Sequence, residues 1–230
     1  MRSLAIIAII LGLLLSMTGA SRRVDATPQL LPGILKKMET ARTNLKSLRA
    51  AIVQEKHNVQ IDVSDVDSGT MIYKLGMKGD MRARIDYTKP DTQVVSLIGD
   101  QGILYQPRIN QVTKASISKL SKGRGGYAWL AGLLGSVNSL AKDYSFDYVK
   151  DEAINGQQTS QLHLLPKSKS DVTSLDIWVS QNTWLPVQQK AVERNGDYTL
   201  VKLSNMELNI KLADEAFNVK YPSGTSVVQR

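Results

Sequence analysis

The chain has no cysteine, two histidines and two phenylalanines, and aromatic residues fill 6% of its 230 positions. Without thiols there can be no cysteine nucleophile, no disulfide and no thiolate-bound metal. Histidine chemistry is nearly as thin, because His57 and His163 lie far apart in strand-like stretches with no second ligand at metal-binding spacing. A strand histidine of this kind is ordinarily a surface or hydrogen-bonded residue. No G-x-S-x-G elbow occurs. Gly123-Arg124-Gly125-Gly126 lacks the lysine-hydroxyl ending of a phosphate loop. Trp129, Trp178 and Trp184 are scattered rather than gathered in a basic-aromatic block, with Trp178 expected to alternate outward beside Asp176, so stacking on nucleic acid finds no support. Neither an enzyme nor a cofactor or metal site is expected.

What is present begins with export. Arg2 is a positive n-region, residues 4–15 are an almost unbroken apolar run, and Thr18-Gly19-Ala20 offers small residues for cleavage, which reads as a signal peptide over residues 1–20. A second cut is available at Val24-Asp25-Ala26. The apolar run is shorter than the ~20 residues that span a bilayer. Residues 27–230 are then an exported single domain. At 42% hydrophobic it can build its core without disulfides. The formal charge of +8 favours anionic partners; for an exported protein these are membrane headgroups, with most lysines forming a solvated surface.

Past Pro28 and Pro32, residues 31–48 carry a helical stripe of Leu31, Ile34, Leu35, Met38, Ala41, Leu45 and Leu48, opposite Lys36, Lys37, Glu39 and Lys46. From there the period changes to two. Val59, Ile61 and Val63 alternate, then Met71, Tyr73 and Leu75. Met81, Ala83, Ile85 and Tyr87 alternate with Arg82, Arg84 and Asp86, predicting a half-buried strand with a charged outer face. Val95 and Leu97, a turn at residues 99–102, and Ile103 and Tyr105 form a hairpin. Further strands follow at Val112, at Tyr144–Phe146–Tyr148, and at Leu162 and Leu164 beyond an Asn155-Gly156 turn. Leu175–Ile177–Val179, Val187–Ala191, Tyr198–Leu203, Met206–Leu212 and Phe217–Tyr221 complete the pattern. The sum is about eleven strands at the spacing of an antiparallel sandwich or barrel.

Residues 123–142, GRGGYAWLAGLLGSVNSLAK, interrupt this with a glycine-rich loop and a helical stripe of Leu130, Leu133, Leu134, Val137 and Leu140. Gly132 and Gly135 weaken such a helix by about 1 kcal/mol each relative to alanine. Two readings stand. One is a mobile apolar gate hinged at Gly125-Gly126, the other a core helix with two packing glycines. If the helices swing aside, the sheet's concave side is a hydrophobic ligand site.

The stretch GTMIYKLGMKGDMRARIDYTKPDTQVVSLIGDQGILYQPRINQV resembles the central part of the periplasmic lipoprotein carriers of the LolA type. The glycine-led strand, arginine, aromatic, proline, turn, tyrosine, proline and glutamine of that family correspond to Gly69, Arg84, Tyr87, Pro90, Gly99, Tyr105, Pro107 and Gln111. LKSLRAAIVQE resembles the family's passage from first helix to first strand, and FNVKYPSGTSVV its ending, with Phe217, Pro222 and Gly224 in place. The resemblance implies an α+β, mostly β fold: an unclosed antiparallel β-barrel with a helical lid over an apolar cavity. It implies a monomeric periplasmic carrier that shuttles the acyl chains of lipoproteins from an inner-membrane lipoprotein-releasing ABC transporter to an outer-membrane receptor. Met71, Tyr73, Met81, Ile85, Tyr87, Val95, Leu97, Ile103 and Tyr105 are the expected acyl-chain cavity, and Leu35, Met38, Leu130, Leu133, Leu134 and Val137 the expected lid. Where proteobacterial carriers have a lid-closing arginine in a Lys-Arg-Pro stretch, this chain has Lys74-Leu75-Gly76, and Ile103 replaces the aromatic before the tyrosine. An RseB-like sensor of stray lipid or lipoprotein, or a glycolipid carrier, would use the same fold.

Overall fold

The computed structural model describes residues 27–76, 80–116, 129, 133 and 135–229. The expected signal peptide, the Gly125-Gly126 hinge, Leu130 and Leu134 lie outside the described residues. The chain opens with helix α1 (Thr27–Asn44), followed by β1 (Ser47–Asn58), β2 (Val63–Leu75), β3 (Met81–Lys89), β4 (Gln93–Ile98), β5 (Gln101–Gln106) and β6 (Gln111–Ser116). A short helix α2 (Val137–Asp143) leads into β7 (Tyr144–Ile154), β8 (Gln157–Pro166), β9 (Val172–Ser180), β10 (Pro186–Glu193), β11 (Tyr198–Leu208) and β12 (Ser226–Gln229). All twelve strands join one sheet in the order β12-β6-β5-β4-β3-β2-β1-β11-β10-β9-β8-β7. The first and last strands of that order are not paired with each other, so the barrel is unclosed. Every pairing is antiparallel except β12 with β6.

Period-two patterning explains the sheet. Leu48, Ala50, Ile52 and Gln54 of β1 point to one face, where register sets Tyr73, Met71, Gly69 and Asp67 of β2 beside them. Ile85 lies opposite Met71, and Val95 opposite Ile85. The turns follow local chemistry. Asn155 and Gly156, at φ 50° and 77°, close the two-residue hairpin between β7 and β8.

Several boundaries differ from the sequence reading. Helix α1 takes in Pro32 and stops at Asn44, and Leu48 belongs to β1. Val59 and Ile61 are not in a strand. They form the β1–β2 tip, where Asn58 Oδ1 accepts the amide hydrogens of Gln60 and Ile61 at 3.0 and 3.3 Å, a side-chain turn that apolar alternation conceals. The two strands expected over residues 198–212 are one strand, β11, bent by a register shift between Arg49 and Ala51 of its partner β1. Phe217, Val219 and Tyr221 form no strand either.

Those last residues instead strap the convex face. Lys74 Nζ donates to the Leu212 carbonyl at 2.8 Å and to Asp214 at 2.6 Å, and Arg82 reaches Asp214 at 2.9 Å. Arg84 donates to the carbonyls of Ala216 and Asn218 at 3.1 and 2.8 Å. Phe217 is fully buried beneath this strap, and Ser96 donates to its carbonyl. The charged outer face of β3 is therefore a clasp for the C-terminal segment rather than a bare surface. Among the described residues, no helix is long and apolar enough to cross a membrane.

Candidate hydrophobic ligand site

The concave face carries two apolar clusters. The first joins Leu48, Ala50 and Ile52 of β1 to Met71, Tyr73, Ala83, Ile85, Tyr87, Val95 and Leu97, with Val201 and Leu203 of β11 alongside. Trp129 and Leu133 pack into it from above. The second joins Leu162, Leu164, Leu175, Ile177 and Val179 to Ile34 and Met38 of α1 and Val137 of α2, with Leu35, Phe146 and Tyr148 partly buried against it. Helical side chains thus cover both halves of the face, which is the geometry an apolar site needs if its cover is to be separable from its floor.

The two helices are tied to each other by a polar contact. Glu39 Oε2 accepts the amide hydrogen of Val137 at 2.8 Å, at the first residue of α2, while Ser136 Oγ accepts that of Ser139 at 3.0 Å. Both satisfy donors that a helix start leaves without partners. Lys37 Nζ lies 4.1 Å from the Trp184 ring centroid and clamps the other side of α1.

Openings lie around this cover. A cleft of about 410 Å³ runs between α1 and the β7–β9 region, lined by Leu30, Ile34, Tyr148, Ser160, Gln181 and Trp184 among others. A second, of about 330 Å³, opens at the strand tips against Lys56, His57, Asp65, Glu193 and Thr199. Both fall in the range of ligand clefts, ~300–1,000 Å³. A small crevice of about 20 Å³ sits between Met38, Arg42, Leu45, Leu133 and Val137.

The face is not uniformly greasy. Gln54 and Gln189 are 0% and 1% exposed, and Gln54 Nε2 and both amide atoms of Gln189 have no hydrogen-bond partner. The Tyr87 hydroxyl donates to Gln54 Oε1. Arg42, at the end of α1, has a buried Nε in the same condition. Burial raises the Tyr73 phenol above its ordinary value, and the Arg42 charge opposes that rise. A buried polar atom without a partner costs about 1–3 kcal/mol, so packing alone does not account for these groups.

Of the nine expected cavity residues, Met71, Tyr73, Ile85, Tyr87, Val95 and Leu97 share the concave floor, and Met81 packs partly against it. Ile103 and Tyr105 do not. The turn is the two residues Gly99-Asp100 rather than four, which pairs Leu97 with Gly102 and Val95 with Leu104. Leu104 therefore faces inward. Ile103 and Tyr105 face the convex strap, where Tyr105 meets Tyr221 with ring centroids 6.0 Å apart. Of the lid residues, Leu133 lies in the first cluster, Met38 and Val137 in the second, and Leu35 packs at its margin. Gln54 and Gln189 are not among the expected site residues: Gln189 falls in the alternating set with Val187 and Ala191, but a lone glutamine in a strand carries no signal of a binding role. Trp178 does face away from the floor but is buried, its Nε1 donating to Glu152 at 2.7 Å. Each histidine has partners: Ser64 and the Tyr198 ring for His57, and Asp176 at 2.8 Å for His163.

An unclosed sheet whose apolar concave face lies under helical side chains defines the class of open β-barrel folds with a helical lid. Residues 43–220 match the family model described as outer membrane lipoprotein carrier protein LolA, and the chain belongs to that family. An outer-membrane lipoprotein carrier protein of Cupriavidus taiwanensis is 27% identical over 191 residues, covering 82% of this chain and 84% of that one. Among solved structures, MucB superposes with a TM-score of 0.56 at 13% identity, over 86% of this chain; the match spans 64% of the MucB chain. An uncharacterized conserved protein from Thermus thermophilus gives 0.57 at 10% identity, over 88% of this chain and 100% of the other. These structural likenesses bear on the fold.

Proposed function

We propose that this protein is a periplasmic carrier of acylated proteins, holding their acyl chains between the concave floor and the helical cover. Met71, Tyr73, Met81, Ile85, Tyr87, Val95 and Leu97 are the floor of that reading, and Leu35, Met38, Leu133 and Val137, with Leu130 and Leu134, the lid. The observation that carries it is the position of Leu133, seated on the floor residues of β1–β4 from a segment outside the sheet.

Energetics explain why such a cover is needed. Burying hydrocarbon is worth ~0.8 kcal/mol per methylene, so one enclosed long chain gains on the order of 10 kcal/mol, about what a membrane offers. Release requires the empty protein to recover energy, and refilling the floor with Trp129 and Leu133 supplies it. In this reading the cargo is received from an inner-membrane lipoprotein-releasing ABC transporter and passed to an outer-membrane receptor; the family's carrier name supports the binding of lipoproteins. The role is transport without catalysis. The positive charge, +8 over the chain, suits a protein that meets anionic headgroups at both ends of its route.

A second reading, an envelope sensor of stray lipid or lipoprotein, draws support from the likeness to MucB, a protein whose complex with MucA from Pseudomonas aeruginosa is also a structural match. Native mass spectrometry of protein purified from the envelope, followed by incubation with acceptor vesicles, separates the two. A carrier shows a triacylated-peptide adduct that leaves for the vesicles. An adduct that stays bound supports the sensor, and a protein that takes up no lipopeptide at all refutes both.

A further inference from the structure

The concave face changes character along its strands. In one lateral row, Gly69, Ile52 and Leu203 lie side by side across β2, β1 and β11. The next row towards the β1–β2 tip holds Asp67, Gln54, Val201 and Gln189 across β2, β1, β11 and β10. Beyond it come Asp65, Lys56, Thr199 and Ala191, where the tip cleft of about 330 Å³ opens. Lys56 Nζ stands 3.4 Å from Asp67. The face is thus apolar beneath Trp129 and Leu133 and polar towards the tip.

Gln54 and Gln189 stand at the boundary, flanking Val201, and both are buried to within 1% of full enclosure. Their bonding capacity is specific. The Tyr87 hydroxyl donates to Gln54 Oε1, and the two N–H donors of Gln54 Nε2 are unmet. Gln189 has two donors and an acceptor unmet. Four donors and one acceptor therefore converge on the seam between the two apolar clusters, since Val201 belongs to the first and Ile177, the β9 partner of Gln189, to the second. An all-hydrocarbon ligand would satisfy none of them.

Taking the carrier reading as given, we propose that Gln54 and Gln189 are the site that reads the acyl linkages of the cargo. Their amide hydrogens bond the ester and amide carbonyls where the chains join the head, and Gln189 Oε1 accepts the head's own amide hydrogen. The acyl chains extend from there along the apolar rows towards Met71 and Tyr73, and the polar head leaves through the tip cleft beside Lys56 and Asp67. The cargo is thereby held in one direction and at one depth. Tyr87 is a positioning residue that acts through Gln54.

Two ligands of equal chain length test this: a triacylated cysteine peptide, and an analogue in which ether and alkyl-amine linkages replace its carbonyls. The wild-type protein should bind the first at least tenfold more tightly, about 1.4 kcal/mol, because a site built to hydrogen-bond a group discriminates against the analogue lacking it. The double variant Gln54→Leu/Gln189→Leu should bind both alike with an undiminished melting temperature. Equal wild-type affinities would overturn the proposal while leaving the carrier reading intact, and so would a double variant that keeps the preference. Binding of neither ligand would defeat the carrier reading and the proposal together. A diacyl glycolipid and its diether form make a third arm. The same preference there supports recognition of the glycerol esters common to both lipids, and a preference confined to the peptide supports recognition of its amide.

Discussion

Gly69 faces Tyr87 across β2 and β3, and a Cβ at that position would come within 2.0 Å of the Asp86 carbonyl oxygen. Backbone cannot yield as a flexible side chain would. Gly69→Ala should destabilise the protein by at least about 2 kcal/mol, read as a lowered denaturation midpoint at unchanged slope; a wild-type midpoint would show that the strands do not approach so closely. On the opposite face, Asp214 has its carboxyl held below the usual range by a hydrogen bond from Lys74, with the charge of Arg82 adding to it. A folded-state value below the unfolded one, about 3.9, means the contribution is present above that pH and fades as pH falls through the folded value. Asp214→Asn should therefore be less stable than wild type at neutral pH and converge with it in strong acid. A constant gap across an acid titration would contradict this. Residue phase was the hardest thing to read in the sequence. In Gly99-Asp100-Gln101-Gly102 the difference between a two-residue and a four-residue turn moves Ile103 and Tyr105 to the other face, and nothing in those apolar residues says which face is inside. Asn155-Gly156 was legible because only a tight primed turn asks for that pair.

Helices α1 and α2 meet through the Glu39 carboxylate and the Val137 amide, far apart in sequence. The stripe of Ile34, Leu35 and Met38 made α1 legible as a cover, and the strand alternation made the sheet legible, but no pattern announces a carboxylate that caps a helix 98 residues away. The contact ties the start of α2 to α1. A charge-assisted cap of this kind is worth about 0.5–2 kcal/mol. If it holds the cover down, Glu39→Ala should raise uptake of an apolar fluorescent dye by about three- to thirtyfold in apparent affinity while changing the global melting temperature by only a few degrees. Dye binding equal to wild type would show that α2 stays in place without the cap. The β1–β2 tip was misread for an opposite reason: Val59, Ile61 and Val63 alternate like a buried strand, yet Ile61 is 68% exposed and the turn is made by the Asn58 side chain.

At the scale of the molecule, one sheet supports two covers. Its middle strands β2, β1 and β11 carry the first cluster and its β8–β9 end the second, so in the carrier reading proposed above the cover over β1–β4 lifts while α1 keeps its hold on β8 and β9. In that reading the affinity for cargo is a difference between two states of the same protein. Leu133 is buried against the floor; the proposed carrier role requires cargo to take that place in the loaded state and the side chain to be displaced. Burying a leucine is worth about 1.5–3 kcal/mol, and that amount is subtracted from the free energy of every binding event. Leu133→Ser should then do two things that ordinary damage to a core does not do together. It should lower the melting temperature of the empty protein, and it should tighten lipopeptide binding by roughly ten- to a hundredfold. The melting temperatures of wild type and variant should approach each other at saturating lipopeptide, because ligand linkage stabilises the state in which residue 133 is no longer buried. Calorimetric melting with and without the triacylated peptide reads all three quantities. A variant destabilised to the same degree in both conditions, with weaker binding, would identify Leu133 as fixed core and leave the floor without a removable cover.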